Sequence, residues 1–121
     1  MKRILSLWVP VVLWAALIFT FSSFSHIGPE VKTVWDFLLR KLAHVLEYAV
    51  LAFLSARAFE GDGRKAVLLS ILYAVSDELH QALVPLREAR VLDVFIDAAG
   101  SFPGAWIWSR LARRMPKKFR P

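Results

Sequence analysis

Apolar residues fall into four blocks along the chain, separated by short stretches rich in charge, glycine and proline. The blocks cover residues 4–24, 37–59, 66–84 and 90–111. Each is close to the ~20 residues that carry a helix across a ~30 Å hydrocarbon core. The first is apolar on every side and aromatic (Trp8, Trp14, Phe19, Phe21, Phe24), with Pro10 inside it. It is longer than the apolar region of a signal peptide and is expected to be a retained anchor. The other three are polar along one face at the helical period of 3.6 residues. In the second, Lys41, His44, Glu47, Tyr48 and Ser55 share an arc. In the third, Ser70, Tyr73, Asp77 and Gln81 share a face, with Glu78 and His80 at its flanks. In the fourth, Arg90, Asp93, Asp97, Gly100 and Gly104 line one side, and the small-xxx-small spacing of the two glycines is one at which membrane helices pack closely. The pattern predicts an all-α, polytopic membrane protein: four transmembrane helices in a compact bundle, forming one domain over residues 1–121.

The connectors agree. Gly28-Pro29 marks a loop over 25–35, residues 60–65 form a polar turn (Glu-Gly-Asp-Gly-Arg-Lys), and residues 85–89 form a second turn. Hydrophobic residues make up 57% of the chain, above the roughly 45–50% of soluble domains. With no cysteine, disulfides, thiolate metal sites and a cysteine nucleophile are excluded. The net charge of +6 sits beside the apolar blocks and in the basic tail at 112–121, which points to anionic membrane lipid as a partner and away from nucleic acid. Placing the N-terminus in the cytoplasm puts Lys2, Arg3, Arg57, Arg64, Lys65 and every basic residue from Arg110 onward there, eleven of the sixteen. By the positive-inside rule both termini are expected to be cytoplasmic. Trp8, Trp35, Trp106 and Trp108, near the span ends, are expected as interface anchors, and Trp14 as a mid-span contact to lipid or core.

The chemistry lies in the ionisable residues at membrane depth, each costing at least ~2.5 kcal/mol on insertion scales and therefore marking a working site. In this topology Glu47, Asp77 and Asp97 reach a similar depth on the outer half, with Arg87 and Arg90 at the mouth. Arginine suits phosphate, because its planar fork makes paired hydrogen bonds to two oxygens. Lys41, Arg87 and Arg90, with Tyr48, are thus candidates to hold a phosphate-bearing lipid headgroup. His44, Glu47, Asp77, Glu78, Asp93 and Asp97 are candidate acid/base or ligand groups, with Gln81 as an orienting donor. No organic cofactor is expected: no Walker loop, dinucleotide fingerprint or Gly-x-Ser-x-Gly elbow is present. A divalent metal is an alternative, since His44-x-x-Glu47 places two ligand types one turn apart with Asp77, Glu78, His80, Asp93 and Asp97 to complete an oxygen-rich site. A proton relay or small transporter, which would need homo-oligomerisation to enclose a path, and a purely structural pairing of these charges are the remaining alternatives.

Several of these stretches resemble the VanZ-like family of small bacterial membrane proteins: Lys41-Leu-Ala-His44-Val-Leu-Glu47-Tyr48, Asp77-Glu78-Leu-His80-Gln81, Arg87, Asp93, the Gly100/Gly104 pair and Phe-Ser22-Ser23. The resemblance covers almost the whole chain. Two positions depart from the common pattern, Arg40 where the family usually has Asp and Asp97 where it usually has Asn. The resemblance implies a multi-pass protein of the bacterial cytoplasmic membrane, an association with glycopeptide (teicoplanin) resistance, and an envelope lipid-linked precursor as a fitting partner.

Overall fold

A computed structural model describes residues 1–23, 33–84 and 90–120. Four long helices dominate: α1 (Lys2–Ser23), α2 (Val34–Ala58), α3 (Gly63–Ala82) and α4 (Val91–Arg114), followed by a short 3-10 turn at Lys117–Phe119. All four blocks predicted from the sequence are helical, their ends shifted by up to three residues. The predicted turn at 85–89 and most of the loop at 25–35 lie outside the described residues.

Local chemistry sets the ends. Thr33 and Asp36 form a reciprocal capping box at the start of α2, the Asp36 amide donating to Thr33 Oγ1 at 3.2 Å and the Thr33 amide to Asp36 Oδ2 at 3.1 Å. At the other end of α2, Glu60 and Gly61 adopt positive φ (56° and 98°), and the Gly61 amide donates back to the Ala56 carbonyl at 2.8 Å. This left-handed reversal stops the helix and turns the chain. Asp62 then caps α3, accepting from the Lys65 amide at 3.2 Å. The polar turn is therefore shorter than its composition predicts, with Arg64 and Lys65 already helical.

The Asp62 cap yields a testable pH dependence. Its hydrogen bond from the Lys65 amide, helped by the Lys65 ammonium, holds the carboxyl below its ordinary 3.8. A depressed folded value means the stabilisation is complete above the unfolded carboxylate's value and is lost as pH falls through the lower folded one. The melting-temperature advantage of wild type over Asp62→Ala should therefore be full at neutral pH and shrink below about pH 4.

Chain direction alternates, so the start of α1, the end of α2, the start of α3 and the end of α4 meet at one end, called here the terminal end. Arg3 pairs with Glu60 (2.6 Å) and Arg57 donates to the Ser6 carbonyl (3.2 Å) across it. α2 packs most extensively on α4, and α1 rests against α2 and α3. The α2–α4 seam is set by glycine: a Cβ on Gly100 would lie 2.2 Å from the Val45 carbonyl oxygen, and one on Gly104 2.0 Å from that of Ala49. The small-xxx-small spacing thus marks a backbone-to-backbone approach, and α4 runs unbroken through Pro103.

The buried surface has two centres. One gathers Leu7, Val11, Ile18, Tyr48, Leu51 and Ala74 between α1, α2 and α3. The other is built of small residues, Ala52, Ala56, Ala66 and Ala105, around Trp108. Trp108 is only 4% exposed and meets Phe53 edge-on at 5.3 Å. It is a core residue, which corrects its expected role as an interface anchor: lying near a span end says nothing about which way a side chain points. Trp35 and Trp106 do face outward. Trp14 donates its indole N–H to the Glu47 carbonyl at 2.9 Å and so ties α1 to α2.

The distribution of polarity is the reverse of a water-soluble bundle. Ser22, Ser55, Ser70, Asp77, Glu78, Gln81, Asp97 and Ser101 are buried, while Leu13, Leu39, Leu46, Leu72, Leu79, Phe95 and Phe102 are exposed. Among the described helices, α1 alone is long and apolar enough by composition to cross a membrane. The charged residues on the inner faces of the other three keep their average hydropathy down.

Candidate functional site

At the end of the bundle opposite the termini, α2, α3 and α4 each turn polar side chains inward, and α1 adds a fourth contributor. Tyr48, fully buried, donates its hydroxyl to Asp77 Oδ2 at 3.3 Å. Gln81, one turn along α3, donates its amide to the same oxygen at 3.2 Å and lies 3.3 Å from Ser22 Oγ on α1. The pair of donors fixes Asp77, which is 2% exposed. Ser22 was not singled out for its chemistry from the sequence, because a hydroxyl in an aromatic, apolar stretch carries no periodic signal.

Alongside this network, His44 Nδ1 lies 3.4 Å from Asp97 Oδ1 and 3.9 Å from Glu47 Oε2. The imidazole is thus held between an acid of its own helix and one of α4. The approach is close enough for electrostatic attraction, yet Asp97, only 1% exposed, accepts no hydrogen bond on either oxygen among the described residues. Nearer the rim, Lys41 is ion-paired with Asp93, joining α2 to α4. Glu78 is buried and takes the Arg90 backbone N–H on Oε2 at 3.1 Å, which anchors the first turn of α4 to α3.

The structure therefore brings together His44, Glu47, Tyr48, Asp77, Gln81 and Asp97, with Lys41, Asp93, Glu78 and the backbone of Arg90 around them. Arg87 lies outside the described residues. His80, placed at a flank by its periodicity, turns away: it stacks on Phe19 at 4.3 Å and meets Ser23 Oγ at 3.0 Å, both on α1. Its neighbour Glu78, at the opposite flank, turns inward. Lys41, expected as an anion holder, spends its charge on Asp93. Among the described residues, no group of three or more His, Asp and Glu side chains is placed to hold a metal ion.

Four carboxylate oxygens in this region are buried without a hydrogen-bond partner among the described residues: Asp77 Oδ1, Glu78 Oε1 and both of Asp97. Buried acceptors normally find donors, and leaving one unmade costs about 1–3 kcal/mol. Every orphan here is an acceptor. The arrangement is suited to a proton or to a guest that presents hydroxyl or amine donors.

The Lys41–Asp93 pair can be tested for its part in stability. Its side chains are 26% and 18% exposed, so breaking it costs less than the 3–5 kcal/mol of a fully buried pair. Lys41→Met should destabilise by about 1–2 kcal/mol, and Lys41→Met with Asp93→Leu should recover most of the loss. Denaturation of the two single variants and the double variant measures the coupling.

The VanZ/LLP1 family model matches residues 4–113. The chain belongs to the VanZ/LLP1 family. The match takes in all four helices, and with them every residue of the polar cluster. No curated protein and no solved structure matches the chain. Membership of the VanZ/LLP1 family accords with membrane association, as does the apolar α1.

Proposed function

We propose that this VanZ/LLP1 protein is a four-span protein of the bacterial cytoplasmic membrane with both termini in the cytoplasm, and that its polar cluster recognises the headgroup of an envelope lipid or lipid-linked precursor from the outer side. The reversed polarity of the bundle supports the first part. Each helix is 20 residues or longer, hence about 30 Å or more, and hydrocarbon would cover the exposed leucines and phenylalanines. The basic residues gathered at the terminal end favour that end inside.

The second part is carried by the four orphaned carboxylate oxygens. A headgroup offering hydroxyl or amine donors would satisfy them, and arginine chemistry, at Arg90 and at the Arg87 singled out by the sequence, would suit its phosphate. His44 and Glu47 stand beside Asp97 to position the guest. By family resemblance, the cellular readout is tolerance of a glycopeptide such as teicoplanin.

Lipid extracted from the protein purified out of native membranes tests this reading. Wild type should retain a phosphate-bearing lipid that Asp77→Asn and Arg87→Ala lose while still accumulating in the membrane. Equal retention by all three would count decisively against it. Because the chain has no cysteine, single introduced cysteines report topology. Ser25→Cys should react with an impermeant maleimide in intact cells and Pro121→Cys should not.

A further inference from the structure

A second unassigned feature lies at the terminal end, away from the acidic cluster. A cavity of about 390 Å³ opens there, lined by Arg3, Arg57, Arg120, Trp108, Leu7 and Phe119 among others. Its size falls within the ~300–1,000 Å³ of small-molecule sites. The three guanidiniums come from the start of α1, the end of α2 and the tail beyond α4. Arg57 donates to the Ser6 carbonyl at 3.2 Å, and Arg120 donates to the carbonyls of Met115 and Arg113 at 3.2 Å each. Glu60 engages Arg3 from outside the cavity lining.

Trp108 supplies the deciding observation. Its ring packs in the core, yet its indole Nε1 is buried with no acceptor among the described residues. Trp108 belongs to the cavity wall. The one buried group of this cavity wall left without a partner among the described residues is a donor, the opposite of the far end, where the orphans are carboxylate oxygens. A ligand completing this site must bring acceptor oxygens and negative charge to three arginines and an indole N–H, with an apolar part against Leu7 and Phe119.

We propose that this cavity binds a phosphate ester, its oxygens on Arg3, Arg57 and Arg120 and one of them within reach of Trp108 Nε1. Guanidinium forks match phosphate oxygens in pairs. The natural source is an anionic lipid of the cytoplasmic leaflet; that attribution, unlike the phosphate site itself, rests on the membrane topology proposed above.

The experiment uses full-length protein in a nonionic detergent and measures binding of dihexanoyl phosphatidic acid. Inorganic phosphate and dihexanoyl phosphatidylcholine, whose phosphate is neutralised by choline, form the comparison arms. Saturable binding to one site is expected, weakened about tenfold by Arg57→Gln and by Trp108→Phe, since one charge-assisted hydrogen bond is worth at least a factor of ten. Trp108→Phe keeps an aromatic ring in the core, and a melt of each variant confirms folding. Arg110→Gln, whose side chain instead stacks on Trp106 at 4.9 Å, should bind as wild type does.

Preference for phosphatidic acid over inorganic phosphate supports a lipid headgroup. Displacement by equimolar inorganic phosphate would overturn the lipid while keeping the anion site. An equal loss in Arg110→Gln, or wild-type affinity in both Arg57→Gln and Trp108→Phe, would overturn the site itself. Lipid retention at the other end is read through Asp77 and Arg87, so the two readings fail separately.

Discussion

Gly104→Ala should prevent the bundle from closing, lowering its stability by about 3 kcal/mol or more. The added methyl would sit 2.0 Å from the carbonyl oxygen of Ala49 and 2.7 Å from its carbonyl carbon. The obstacle is helix backbone, so no rotamer change relieves it. α4 must move away from α2 by an ångström or more, which opens the most extensive helix pair in the molecule. Gly100→Ala meets Val45 in the same way at 2.2 Å and should behave alike. Gly63→Ala provides the contrast: its methyl meets nothing nearer than the Ala105 Cβ at 3.8 Å, and as an early helical position it should gain slightly from alanine. Thermal melts in detergent decide the matter. A Gly104→Ala melting point close to that of wild type would mean that the α2–α4 seam is looser than its geometry.

The glycine pair also shows what the sequence could convey. Its spacing announced a close approach, but only the fold says that the partner is α2 and that the contact is with main-chain oxygens. The helices themselves were legible because each apolar block is long and bounded by punctuation such as Gly61-Asp62-Gly63. The inward faces were mostly legible too: periodicity put Tyr48, Asp77, Gln81 and Asp97 on polar arcs, and all four are buried. It faltered at arc edges. Glu78 and His80 were equivalent flanks until packing chose, turning Glu78 toward the backbone of Arg90 and His80 onto Phe19. Ser22 stood out only through the family resemblance and Trp108 was expected at the interface for related reasons, since a hydroxyl among aromatics and an indole near a span end carry no directional information.

The two ends of the bundle differ in kind. Among the described residues, the far end holds buried acceptors without donors, and the terminal end holds arginines beside a buried donor without an acceptor. Such a dipolar arrangement suits a molecule lying between two headgroup layers. It also separates the roles of the charges: those at the far end are sequestered by α2, α3 and α4, whereas the basic residues of the tail are largely exposed.

Asp77 should distinguish structural from chemical work inside the cluster. Its Oδ2 accepts from both Tyr48 and Gln81. Asp77→Ala would therefore strand a phenol and leave the Gln81 amide with Ser22 as its remaining partner, costing about 2–4 kcal/mol and a substantial drop in melting temperature. Asp77→Asn preserves shape, and its carbonyl oxygen can still accept from both donors, so stability should stay within about 1 kcal/mol of wild type. What asparagine cannot supply is a carboxylate at the position of Oδ1, the oxygen with no partner among the described residues. If that oxygen meets a guest, Asp77→Asn loses bound lipid and any associated glycopeptide tolerance at near-native stability. Tyr48→Phe completes the series by removing one donor and leaving the carboxylate, and it should cost about 1 kcal/mol with binding largely kept. A fully functional, well-folded Asp77→Asn protein would reduce the aspartate to a tether between α2 and α3.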